Sequence, residues 1–119
     1  MGERRKETRR KLMAFTSVYD LEKKKLLGYL GDLTLQGAMV IGAKSLEVDK
    51  QIILDIEFQD ELPGILTKHM TIPARVARCD RDESPNSFKI GFEFKNIEPE
   101  QEKIIQALLE RYHFRHKMY

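Results

Sequence analysis

Asp32, Thr34 and Gly37 stand in the run Asp32-Leu33-Thr34-Leu35-Gln36-Gly37, which separates two apolar stretches with a carboxylate, a hydroxyl and a glycine. An ionised carboxylate only accepts hydrogen bonds, and it can take two from adjacent donors. Asp32 therefore matches the guanine edge that presents N1–H and N2–H side by side, and it does not match a phosphate. On an extended backbone Thr34 points to the same side as Asp32 and brings a hydroxyl able to donate to a phosphate or ribose oxygen. Gly37 tolerates positive φ and lets a ligand approach the backbone. The same residue types also make an ordinary polar turn between strands. Alone, the hexapeptide defines a possible floor for a site.

A second stretch supplies the complementary charge. Residues 4–11 carry six basic residues and one acidic residue, with no aliphatic side chain. Arg5 and Arg9 are four positions apart, a spacing that puts both on one side of either a helical or an extended backbone. The planar guanidinium fork pairs with guanine O6 and N7 or with phosphate oxygens. Asp32 and the arginines thus address opposite edges of one base. Arg4 and Arg10 flank the pair and are secondary candidates. A solvated basic tail is the competing reading of such a run. Ordering an arm of about eight residues costs roughly 8–16 kcal/mol of backbone entropy. Two bidentate arginine–guanine contacts return only roughly 2–6 kcal/mol. A ligand that orders the arm must also bring phosphates and stacking surface.

The order of the two parts resembles the PilZ domain, the bacterial receptor for cyclic di-GMP, whose pattern is Arg-x-x-x-Arg followed downstream by Asp/Asn-x-Ser-x-x-Gly. Arg5 and Arg9 match the first part, and Asp32, Thr34 and Gly37 match the second. Ala74-Arg75-Val76-Ala77-Arg78, Ile90-Gly91-Phe92-Glu93-Phe94 and a closing amphipathic helix look like the rest of the domain. The resemblance covers nearly the whole chain. Thr34 departs from it: threonine keeps the usual serine's hydroxyl but adds a methyl that stiffens χ1 and takes space beside the ligand.

The resemblance implies a mainly β fold, a small antiparallel barrel over 12–119 with a C-terminal helix at about 99–115, preceded by a flexible basic arm over 1–11. It implies cyclic di-GMP as ligand, no cofactor, and Arg5, Arg9, Asp32, Thr34 and Gly37 as the residues that hold it. It also implies an adaptor role in motility, pilus or exopolysaccharide control, exercised through an unidentified protein partner. In the family the residue before the first motif arginine helps decide whether one ligand or an intercalated pair binds. Arg4 occupies that place, and a further guanidinium there is compatible with the pair.

Composition sets limits on the alternatives. The chain has 119 residues and 41% hydrophobic content, enough for one core and too little for two. Its net charge of +2 is modest, and the positive charge is concentrated in 4–11 and near the C-terminus, which fits a focused anion site better than a nucleic-acid-coating surface. Cys79 is the only cysteine, so no intrachain disulfide forms and a reducing compartment is expected. Neither a membrane-spanning run nor a secretory signal is visible, so a cytoplasmic protein without membrane insertion is expected, as a monomer or weak homodimer. His69, His113 and His116 show no metal-site spacing, and no nucleophile or phosphate-loop motif occurs. Asp55 and Glu57 share a strand face and read as solubilising charges rather than an acid–base pair. Catalysis is not expected. Two readings compete with a nucleotide receptor: a PilZ-like protein that acts only by protein contact, and a small barrel that binds RNA or DNA. The second is disfavoured because Phe88, Phe92 and Phe94 alternate as core residues do and leave no surface stacking platform.

The elements that must position these residues follow from periodicity. Strands are expected over 12–19, 26–33, 38–41, 52–58, 65–79 and 88–94. Gly28 and Gly31 mark a bend or bulge near the site, and Pro73 marks an edge position or bulge. Charged or polar turns are expected over 20–25, 42–50, 60–64 and 80–87. Pro99, Glu100 and Glu102 open a helix whose stripe of Ile104, Ile105, Leu108, Leu109 and Tyr112 packs on the barrel, with Arg111, His113 and Arg115 at its end.

Overall fold

The computed structural model describes residues 16–59 and 61–117, with side chains described as far as 111. The expected arm, the start of the expected first strand over 12–15, and the side chains of Tyr112, His113, Arg115 and His116 lie outside the described residues. Six strands, β1 (Ser17–Asp20), β2 (Lys25–Leu33), β3 (Gly37–Gly42), β4 (Gln51–Glu57), β5 (His69–Arg81) and β6 (Phe88–Phe94), precede one helix, α1 (Pro99–Lys117). They close into a barrel in the order β1-β2-β3-β6-β5-β4, and every ladder is antiparallel. Pairing of β1 with β4 completes the ring, which removes the open sheet edges.

Alternation makes the core. Ile52, Leu54 and Ile56 of β4, Met70, Ile72, Ala74 and Val76 of β5, and Ile90, Phe92 and Phe94 of β6 are buried, as a period of two predicts for strands with one face inward. β5 is long because it serves two partners in turn: His69–Arg75 pair with β4, and Ala74–Arg81 pair with β6. Pro73 sits at the changeover. Its carbonyl accepts from Lys95 N at 2.8 Å, just past the end of β6. The missing N–H therefore falls where the β6 ladder stops. The bulge in β5 lies at Ala77 instead, between Val76 and Arg78.

Several expected boundaries move, and two of the shifts have a local cause. β5 starts at His69 rather than 65, because Pro63 and Gly64 make a tight turn that pairs Ile65 back on Leu62, with Gly64 at φ 76°. Asp20 belongs to β1 rather than to the turn; it is 7% exposed and its Oδ1 accepts from Glu22 N and Lys23 N.

The helix opens with one half of a capping box: Gln101 Oε1 accepts from Glu98 N at 2.7 Å. The Gln101 amide also donates to Thr71 O of β5 at 2.7 Å, which fixes the helix against the barrel. Ile104, Ile105 and Leu108 are buried in the common core and Leu109 packs against it, so the described part of the stripe docks as expected. Each such burial is worth about 1.5–3 kcal/mol. Among the described residues no helix is long and apolar enough to cross a membrane.

Candidate ligand-binding site

Asp32 owes its direction to a bulge. Leu30 and Leu33 are both buried, yet they are three positions apart, which a strict period of two forbids. The β2–β3 register shifts between Leu30 and Asp32, so Gly31 is the extra residue and Asp32 is turned outward. Its carboxylate makes one local contact, accepting from Leu33 N at 2.9 Å, and is otherwise exposed.

The turn that follows is tied down from both sides. Thr34 N donates to Gly37 O at 2.9 Å, and Phe94 N at the end of β6 donates to Gln36 O at 2.8 Å. Thr34 Oγ1 accepts from Gln36 N and Gly37 N, each at 3.2 Å, and donates to Gly37 O at 3.4 Å. The expectation was a hydroxyl aimed at the ligand; here its hydrogen bonds run into its own loop and hold the loop's shape.

Gly37 serves a different purpose from the one its residue type suggests. It is not among the residues at positive φ. A Cβ placed on it would lie 2.1 Å from Phe92 O. The close approach that requires glycine is therefore made by the β6 backbone, which lets β3 and β6 pair beside the turn.

Together these residues border an open pocket of about 340 Å³, lined among others by Asp32, Thr34, Gln36, Gly37, Met39 and Glu93. Among the described residues the lining contains no lysine or arginine, so they offer acceptors and backbone but no cation. Beyond it the register places Asp32, Met39, Gly91 and Arg78 side by side across β2, β3, β6 and β5. Met39 and Arg78 lie over glycines: a Cβ on Gly31 would sit 2.9 Å from Met39 Cε, and one on Gly91 2.9 Å from Arg78 Cγ. The outer barrel face is consequently shallow here. Arg78 reaches Asp80 through Nε at 3.0 Å, with both side chains exposed. Its neighbour Arg75 is bound by Asp49 and Glu93, and those hydrogen bonds raise its pKa above the usual arginine value, Asp49 contributing most. Arg78 is thus the more available guanidinium. Sequence reasoning did not single out Met39, Gly91 or Arg78 as a group, since only the strand register brings them together. Glycine at an outward strand position, as at Gly91, was the available signal.

The structure does not bring the four candidate arginines into view, since Arg4, Arg5, Arg9 and Arg10 lie outside the described residues. It does locate the point where their segment joins the barrel: Thr16 O accepts from Leu30 N at 2.9 Å, two residues along β2 from Asp32. Elsewhere, Asp55 is not a solubilising charge. Its side chain is 16% exposed and pairs with His69 Nδ1 at 3.0 Å. Among the described residues no group of three or more His, Cys, Asp or Glu could hold a metal ion.

A sequence-family model for the PilZ domain matches residues 3–111. Among curated proteins none matches the sequence. Among solved structures, the fold is similar to the PilZ domain with c-di-GMP of YcgR from Escherichia coli, with a TM-score of 0.67 and 13% sequence identity over 87% of this chain and 86% of that one. At that identity the likeness concerns the fold.

Proposed function

The chain belongs to the PilZ domain family, and from that premise we propose that it is a cytoplasmic receptor for cyclic di-GMP, acting without catalysis as an adaptor in motility, pilus or exopolysaccharide control. One observation carries the reading: Asp32 is turned outward at a bulge onto a pocket that is without cations among the described residues, and the basic segment joins the barrel two residues away at the Thr16–Leu30 hydrogen bond. Arg9 precedes Thr16 by seven residues, a span of at most about 25 Å when extended. Arg5 and Arg9 are therefore within reach of a ligand seated on Asp32.

In this reading Asp32 accepts from guanine N1–H and N2–H, while Arg5 and Arg9 take the O6 and N7 edge and the phosphates. Arg10 supports them. Thr34 and Gly37 keep the turn in shape, and Met39, Gly91 and Arg78 provide a flat wall for a purine. Arg4 favours an intercalated pair of ligands. Closure of the arm over the dinucleotide changes the surface offered to a protein partner.

Calorimetry with cyclic di-GMP tests this directly. The expected result is binding of two ligands per chain, weakened about 10- to 100-fold in Arg9→Ala and similarly in Arg5→Ala, the effect of losing one bidentate contact. Unaltered affinity in both variants would refute the assignment. Steep salt dependence across many oligonucleotides would instead mark a nucleic-acid binder.

A further inference from the structure

A second hollow, of about 260 Å³, opens at the other end of the β2–β3 hairpin, between the β1–β2 turn and the 43–50 connection. It is separated from the Thr34 turn by the length of β2, about 25 Å. Leu27 and Leu46 contribute apolar surface to it, over the buried Ile90. Lys23, Lys25, Lys44 and Lys50 surround it. Among the described residues none of these four ammonium groups has an ion pair. Among the described residues the only carboxylate in the lining, Asp20, is almost wholly buried and is engaged by the backbone of its own turn. Leu26, on the rim, is 47% exposed, and Val48, on the adjoining connection, 53%.

A solvated lysine face needs no concavity, and an apolar hollow needs no ring of cations. Their coincidence selects a ligand that is anionic outside and apolar at its tip. A volume of about 260 Å³ holds one or two large side chains, and a concave shape suits an inserted residue better than a flat lipid surface. We propose that this hollow is a docking site for an acidic segment of a protein partner, with one aromatic or aliphatic residue seated against Leu27 and Leu46 and flanking carboxylates facing the four lysines. The site owes nothing to the nucleotide reading, because none of its residues borders the Asp32 pocket.

The probe is a fluorescent peptide, Glu-Asp-Glu-Phe-Leu-Glu-Asp, titrated into the full chain with amide and methyl NMR as the readout. Shifts are expected around Leu27, Lys44 and Leu46, with the Thr34 turn silent. The quadruple variant Lys23→Glu, Lys25→Glu, Lys44→Glu, Lys50→Glu should bind about tenfold more weakly, as the combined loss of several exposed ion pairs requires. The single variant Lys44→Gln, which alters no core residue, should show a smaller loss in the same direction. Replacing the peptide's Phe and Leu with Ser should abolish binding. Shifts absent or spread over the whole surface, equal binding by the Lys→Glu variant, or stronger binding to phosphatidylglycerol vesicles than to the peptide would each overturn the proposal.

Discussion

The two ends of the β2–β3 hairpin are built on opposite principles. At the Thr34 end position is set by backbone: Gln36 O and Gly37 O are both hydrogen-bonded, and Gly37 leaves room for Phe92 O. At the other end four lysines on flexible stems surround an apolar hollow. A rigid acceptor held at a bulge can discriminate between planar donor edges, because small errors of placement break a bidentate contact. Mobile ammonium groups respond to charge and tolerate many geometries. Substitutions at the first end should act through shape, and substitutions of the lysines at the second through charge.

Gly37→Val should do the most damage. Its Cβ would enter the space of Phe92 O, backbone that cannot step aside cheaply. Overpacking of this kind costs about 1–3 kcal/mol, so the denaturation midpoint should fall and cyclic di-GMP binding should be lost with it. A variant that is less stable yet still binds fully would mean that Gly37 serves the β3–β6 ladder only. Asp32→Ala comes next and separates shape from stability. The side chain is exposed and supports only Leu33 N, so the midpoint should hardly move while ligand affinity drops about 10- to 100-fold. The acidic peptide should bind this variant unchanged, and a parallel loss would show that the two ends are coupled.

Much of this was legible in the sequence because alternation is a direct imprint of a barrel wall. Ile52, Leu54, Ile56 and Phe58 declared an inward face, and all four are buried. The helix stripe was equally plain, and Ile104, Ile105 and Leu108 dock as expected. Where periodicity met a local device, the reading slipped. Pro73 signals an absent donor, but whether that means an edge, a bulge or the end of a neighbour's ladder depends on where β6 stops. Gly37 signals missing bulk, but only the fold shows that the bulk would strike Phe92 O. Asp55 looked like a surface charge until the β4–β5 register set it opposite Thr71, with His69 close by. The lysine hollow was invisible for the same reason: Lys23 and Lys25 are brought to Lys44 and Lys50 by strand pairing, across spacings that carry no motif.

Thr34 gives the finest test of the contrast. If the hydroxyl works by holding the loop, Thr34→Ala leaves the N–H groups of Gln36 and Gly37 without the acceptor they now share. A lost hydrogen bond of this kind costs about 0.5–1.5 kcal/mol, and because the loop is exposed the lower end applies. Ligand affinity should then fall several-fold through disorder of the turn, read as faster amide exchange at Gln36 and Gly37. Thr34→Ser keeps the oxygen and removes only the methyl, so amide exchange should stay at the parent rate. Any change in affinity then reports space beside the ligand. A serine variant that binds more tightly with the same exchange rates would show that the methyl crowds the nucleotide. Equal affinity would show that the hydroxyl's hold on the loop is all that the position contributes.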